Sequence, residues 1–209
     1  MRKFLLLILS TILLSQSKAQ LSEAEEQTAK QLVAKNSAAI GLSAADLNNI
    51  VVSSTYVTKE GIRLVYLYQS YKDIPVYNQM HVLAFRDGKV VSVAGGRIPL
   101  LEQKVNVPGG VPSVSAGDAV RKALTESKID ISALPQLPAA PAKNAWGKLD
   151  FGKWNTTENI TAELMWVPQE DGKQIKLAWQ VFVAPDRSSD MWLIQVDARD
   201  QSIIGKNNL

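Results

Sequence analysis

The stretch VYLYQSYKDIPVYNQMHVLAFRDGKVVSVAGG, residues 65–96, reads as three strands joined by two turns. Val65, Leu67 and Gln69 alternate with Tyr66, Tyr68 and Ser70, the period-two signature of a half-buried strand. Lys72-Asp73-Ile74-Pro75 breaks the run, because Pro75 fixes its own φ and pushes Ile74 toward extended backbone. Val76 to Phe85 resumes the alternation. Arg86-Asp87-Gly88-Lys89 then has the composition of a tight hairpin turn in which Gly88 takes a positive φ. Val90 to Ala94 returns and stops at Gly95-Gly96.

Upstream, Leu21 to Ile40 has the pattern of a helix. Ser22 is placed to cap it with Glu25 closing a capping box, and Gly41 is placed to stop it. Ala24, Thr28, Gln31, Leu32, Lys35 and Ala39 sketch its apolar stripe. Ser43 to Leu47 suits one further helical turn, and Ile50 to Thr58 alternates as a strand that turns at Lys59-Glu60-Gly61 into Ile62 to Ser70. Downstream, residues 98–114 are rich in Pro and Gly and read as a linker. A second helix starts at Ser115, with Ala116, Ala119, Val120, Ala123 and Leu124 on one side. Pro135, Pro138 and Pro141 rule out a regular helix or central strand across residues 130–144. Strands are expected at Ile160–Val167, Lys176–Ala184 and Met191–Val196, before a turn into Ile203-Ile204. The fold class is α+β: two consecutive units, each a helix with an antiparallel sheet.

Residues 1–19 are a targeting segment. Arg2 and Lys3 precede an apolar run from Phe4 to Leu14, and Ser17-Lys18-Ala19 offers a small-x-small site with cleavage after Ala19. The expected location is secreted or periplasmic, with no membrane attachment after cleavage. The chain has 23 Lys and Arg against 20 Asp and Glu, and the segment takes Arg2, Lys3 and Lys18 with it. The mature chain is therefore neutral, and its basic pI is no argument for a nucleic-acid partner. With no cysteine, an exported fold has to rest on its core alone.

The spacing of Leu67, Gln69, Tyr71, Ile74, Pro75, Val76 and Tyr77, followed by Asp87 to Val93 and Gly95, resembles the propeptide module of fungalysin- and thermolysin-type metallopeptidases. That family usually has Gly before Ile-Pro-Val, where this chain has Asp73. The second unit resembles a PepSY module. It has Ala119 and Ala123 on its helix, then Leu177-x-Trp179-x-Val181-x-Val183, and Trp192 before Val196-Asp197-Ala198. The resemblance implies residues 20–97 as the propeptide module, 98–114 as linker and 115–209 as the PepSY-like module with an insertion near 130–158. It also implies cystatin-like units. Gln69, Tyr71, Pro75, Val76, Asp87 and Gly88 carry over as module-defining positions. Gly205, Lys206, Asn207, Asn208 and Leu209 would be a protease-facing tail that joins the enzyme.

The zinc signature of such enzymes is His-Glu-x-x-His, two histidines one helical turn apart. This chain has a single histidine, His81, and no cysteine, so no histidine or thiolate zinc site can be built from it. No Gly-x-Ser-x-Gly elbow supplies a nucleophile for His81. Asp186 with Asp190, or Asp197 with Asp200, could approach a calcium ion but lack a recognised ligand spacing. No catalytic, cofactor or metal residue is assigned. The implied function is a non-catalytic propeptide, an intramolecular chaperone and inhibitor whose partner is the zinc metallopeptidase domain. The alternatives are a free-standing secreted protease inhibitor acting in trans, and an extracellular module binding a glycan or protein through Trp146 and Trp154.

Overall fold

The structure is a computed structural model that describes residues 21–144, 147–169 and 172–209. The expected targeting segment, Trp146 and part of the turn after Pro168 lie outside them. Helix α1 runs over Glu23–Lys35, and Ser22 and Glu25 form the reciprocal capping box. Its buried residues are Ala29 and Val33, one turn apart, with Leu32 partly buried beside them. Ala24, Thr28, Gln31, Lys35 and Ala39 face solvent, so the stripe read from sequence is displaced around the helix. Two buried positions are too few to impose a strong period on thirteen residues.

The helix also ends sooner than the sequence suggests, because Asn36 leaves the α conformation (φ −106, ψ 11). Its amide donates to Gly88 O at 3.0 Å and accepts from Val90 N at 3.1 Å, tying the helix end to the distant hairpin. A short helix α2, Ser37–Ile40, then stops at Gly41 in left-handed conformation (φ 81). Helix α3, Ala44–Asn48, has its own capping box from Ser43 and Asp46.

Strands β1 (Ile50–Val57), β2 (Arg63–Tyr71), β3 (Ile74–Arg86) and β4 (Lys89–Gly95) form an antiparallel meander. Val52, Val65, Leu67, Leu83 and Phe85 on one face pack with Ala29, Val33 and Leu42 as the first core. The first break is tighter than the sequence suggests. Lys72 and Asp73 alone make the turn, both at positive φ (54 and 59), while Ile74 and Pro75 already pair with Tyr71 and Ser70. Two successive positive φ values are the primed turn that matches strand twist, and they explain a glycine preference at position 73. Asp73→Gly should therefore relieve left-handed strain and raise stability by about 0.5 kcal/mol in urea unfolding, the gain being reduced by glycine's extra chain entropy. A loss of stability would show that the Asp73 side chain is needed there. The second turn is as expected, with Asp87 at φ 51 and Gly88 at φ 74.

Helix α4, Ala116–Glu126, is capped by Ser115 and buries Ala116, Ala119, Val120, Ala123 and Leu124, as its sequence pattern requires. It packs on β6 (Thr161–Gln169), β7 (Gln174–Val183) and β8 (Trp192–Asp197). Leu177, Trp179, Val181, Ile194 and Val196 supply that second core. Within the Pro-rich insertion, the two-residue strand β5, Leu149–Asp150, pairs with Ala162 and Thr161 of β6. No periodicity marks so short an element. The loop before it lies on α4: Arg121 donates to Pro135 O at 2.7 Å, and a Cβ on Gly117 would stand 2.7 Å from Pro138 O.

Two segments are more ordered than their sequence suggests. Residues 98–114 do not hang free, because Ile98, Leu101, Val105 and Val114 are buried in the second core. Asn106 N donates to Ile175 O, and Val114 N donates to Ala198 O, both at 2.9 Å. Proline and glycine made the stretch look like a tether, but scattered buried apolar residues without periodicity hold it down. Residues Ile203–Asn208 form strand β9, paired antiparallel to β8. Gly205 to Asn208 are thus a sheet edge, with Leu209 N donating to Met191 O at 2.9 Å.

The strand order is β1-β2-β3-β6-β7-β8-β9, with β4 beside β3 and β5 beside β6. Each half is antiparallel with its own helix and core, and the two are joined by one parallel contact, Val76 opposite Trp166. The fold is α+β.

Candidate functional site

The motif residues gather at the joint between the two halves. Between Tyr68 and Ser70, two steps along β2 face five steps along β3, from Met80 to Pro75. The surplus forms a bulge with Asn78 at φ 56. That bulge turns Val76 out of the first core and into the second, where it is fully buried. Trp166 meets it there. Trp166 is fully buried, donates its indole N–H to Tyr71 O at 2.9 Å, and lies 5.8 Å from the Tyr71 ring. The Tyr71 hydroxyl donates to Pro108 O at 3.3 Å.

Gln69 completes the joint. It is 4% exposed; its Nε2 donates to Ile98 O at 2.8 Å and its Oε1 accepts from Ile98 N at 2.9 Å. One side-chain amide thus satisfies both backbone groups of a buried residue, as a neighbouring strand would. Gln69, Tyr71, Pro75 and Val76 come together; Asp87 and Gly88 stand apart, in the hairpin held by Asn36.

The joint aligns a broad face that carries no helix. In β2 and β3 the residues between the core positions, Tyr66, Tyr68, Met80 and Val82, point away from α1. Tyr56 stacks on Tyr66 with ring centres 6.1 Å apart, and Tyr56, Tyr68 and Met80 are 49%, 36% and 40% exposed. The face continues into the second half through a groove of about 610 Å³. Tyr68, Tyr77 and Met80 line one wall, and Glu163, Met165 and Gln180 line the other. Sequence reading assigned β2 one buried face. The signal of a second was present, since apolar residues fill both parities of Val65-Tyr66-Leu67-Tyr68.

A polar ladder crosses the second half of this face. Glu163, Gln180, Gln195 and Gly205 stand opposite one another on β6, β7, β8 and β9. Gln180 Nε2 donates to Glu163 Oε1 at 3.0 Å, and Lys148 pairs with the same oxygen at 2.7 Å. A Cβ on Gly205 would lie 2.3 Å from Gln195 Oε1, so the Gln195 amide would have to swing aside to admit a side chain there. Lys206 turns to the helix side instead. Its ammonium donates to Glu126 O at 3.0 Å, at the negative end of α4, and lies 4.4 Å from the Trp192 ring centre. Leu209 is exposed and borders a groove with Phe182 and Leu193.

Asp190, Asp197 and Trp154 each have partners within the fold. Asp190 accepts from Ser188 Oγ at 2.7 Å and from Asn208 at 2.8 Å, and those two bonds hold its carboxyl below the usual range. Asp197 is fully buried, accepts from Arg199 N at 2.9 Å and lies 3.2 Å from the Lys176 ammonium. Trp154 is partly buried against the second core, and its indole N–H donates to Asp130 O at 3.1 Å. Among the described residues no group of three or more His, Cys, Asp and Glu side chains is placed to hold a metal ion. No helix among them is long and apolar enough to cross a membrane.

No curated protein sequence matches the chain. Among solved structures, the Bacillus megaterium YpeB C-terminal domain aligns with 92% of this chain and 67% of its own, at 12% identity and a TM-score of 0.35. The family model of the Fungalysin/Thermolysin Propeptide Motif matches residues 48–96. These span the end of α3, β1, the bulged β2–β3 pair and β4, including every motif position singled out above. Residues 48–96 of this chain are thus similar to the Fungalysin/Thermolysin Propeptide Motif.

Proposed function

We propose that the chain is the non-catalytic pro-region of a secreted fungalysin/thermolysin-type zinc metallopeptidase, assisting its folding and holding it latent. The observation that carries this reading is the position of the motif: its core residues build the joint that sets two sheets edge to edge. The product of that joint is a continuous, helix-free face, apolar across the first half and crossed by a polar ladder in the second. A surface rich in exposed Tyr and Met, with a rim of Lys and Glu, has the composition of a protein-docking patch. Residues 115–209 form a PepSY-like second module in this reading, and Gly205 to Leu209 on the β9 edge face the enzyme. Binding to the folding enzyme lowers a barrier, and binding to the folded enzyme covers its cleft until the pro-region is cut away.

The face makes a test available. The purified chain should inhibit its cognate zinc protease, and Tyr68→Glu or Met80→Glu should weaken that inhibition by at least about tenfold, as expected for a charge placed in the centre of a docking patch. Both positions are partly exposed, so the variants should retain the wild-type circular dichroism spectrum. Unchanged inhibition by both folded variants would remove this face from the interface. An in-frame His-Glu-x-x-His region after the Leu209 codon would make the pro-region act in cis, and a stop codon there would favour an inhibitor acting in trans. Amino-terminal sequencing of the exported protein should begin at Gln20.

A further inference from the structure

We infer that His81 makes the corner between β3, the end of β4 and α3 an acid-sensitive latch, which loosens when the buried imidazole takes up a proton. His81 is the only histidine of the chain. It sits on the core face of β3, in line with Leu83 and Phe85, and is only 7% exposed. Its Nδ1 is buried and has no hydrogen-bond partner among the described residues. No carboxylate or carbonyl therefore waits to accept a proton placed there.

The surroundings favour the neutral ring. Across the sheet, His81 stands opposite Leu67 on β2 and Gly95 on β4, neither charged. The charged groups that act on it are Arg97, just beyond β4, and Asp46 on α3. Arg97 is the pin of the corner: it pairs with Asp46 and donates to Gly41 O at 2.7 Å, holding the α2–α3 segment to the end of β4. Asp46 is already occupied by Ser43 and Arg97. A second cation on the buried His81 ring would compete with Arg97 for that partly buried carboxylate. Gly95 leaves no slack, since a Cβ there would lie 2.0 Å from Met80 O and 3.1 Å from the His81 Cα.

The sign follows from the two states. Burial first, and Arg97 second, hold the folded His81 below its ordinary 6.5, with Asp46 opposing them. The unfolded chain therefore takes up the proton at higher pH than the folded one. The stability contributed by the neutral ring is complete above 6.5 and is lost as the pH falls from there toward the folded value. Asp46 acts in a separate window. Burial raises its pKa, but the Ser43 bonds and Arg97 outweigh burial and hold it below the ordinary 3.8. Its contribution is lost only at still lower pH. In the pro-region reading the latch would release the inhibitor in mildly acidic surroundings. That use rests on the proposed function, whereas the latch is a property of this chain alone.

The test uses the full exported chain without any protease. Because there is one histidine, its ring resonances titrate without overlap in an NMR pH series, and urea unfolding of wild type and His81→Gln is followed from pH 8 to pH 5. The expected result is a midpoint below 6.5 in the folded chain. Between 6.5 and the folded midpoint, the wild-type unfolding constant should also rise by up to about tenfold per pH unit relative to His81→Gln. Amide exchange should increase first at residues 41–49 and 95–98. A midpoint at or above 6.5, or parallel pH profiles for the two proteins, would overturn the latch. Should His81→Gln fail to fold, the wild-type titration midpoint and the location of early exchange decide the matter.

Discussion

Trp166→Ala should be the most damaging single truncation at the joint, with an expected loss of about 3–5 kcal/mol in urea unfolding. Trp166 is the largest fully buried side chain among the described residues. It fills the space where Val76 crosses from one half to the other, and its indole N–H satisfies Tyr71 O. Alanine would leave a cavity and remove the indole hydrogen bond to Tyr71 O together. Trp166→Phe separates the two effects: it keeps most of the packing and loses the N–H, so it should cost only about 1–2 kcal/mol. If Trp166→Ala unfolds with a midpoint close to wild type, the joint is not a cooperative part of the fold. If it unfolds in two steps, the halves have become independent, which would also locate the coupling at this residue.

Gln69→Leu is the second large effect, and its cause is polar. Leucine keeps roughly the shape of glutamine but cannot pair with Ile98, whose N–H and C=O both depend on the Gln69 amide. Each orphaned backbone group costs about 1–3 kcal/mol in a buried site. Hydrogen exchange should show the consequence locally. The Ile98 amide should lose its protection, and the start of the 98–114 segment should open more often. Retained protection at Ile98 together with wild-type stability would mean that water or another group can replace the amide.

The strands and caps were legible because they rest on local chemistry. Ser22 with Glu25, Ser115 and the Asp87-Gly88 turn each satisfy a local backbone requirement, and each appears where the sequence places it. The alternation of Val65, Leu67, Leu83 and Phe85 likewise gave the first core. What the sequence hid is non-local. The bulge at Asn78 needs the partner strand to be recognised as a surplus of residues, and the parallel contact of Val76 with Trp166 joins positions ninety residues apart. The 98–114 segment and β9 were obscured for a related reason. Each is anchored by an existing sheet edge, through Asn106, Val114 and the β8 pairing, and isolated anchors leave no periodic trace.

The candidate face was half legible. The spacing of Gln69, Tyr71, Pro75 and Val76 pointed to the correct thirty residues, yet these residues are structural: they make the face by joining the sheets. The residues presented on it, Tyr56, Tyr68 and Met80, are ordinary strand positions whose exposure depends on where the helix packs. Once α1 covers one side of the meander, the other side stays uncovered, and both parities of β2 are already apolar.

The most direct test of the account is the recovery of active enzyme when the denatured catalytic domain of the cognate thermolysin-type zinc protease is refolded with and without this chain. The account predicts that the chain raises the yield of correctly folded protease and that the recovered enzyme stays inactive until the chain is digested. An unchanged yield, with full activity in the presence of saturating intact chain, would contradict it.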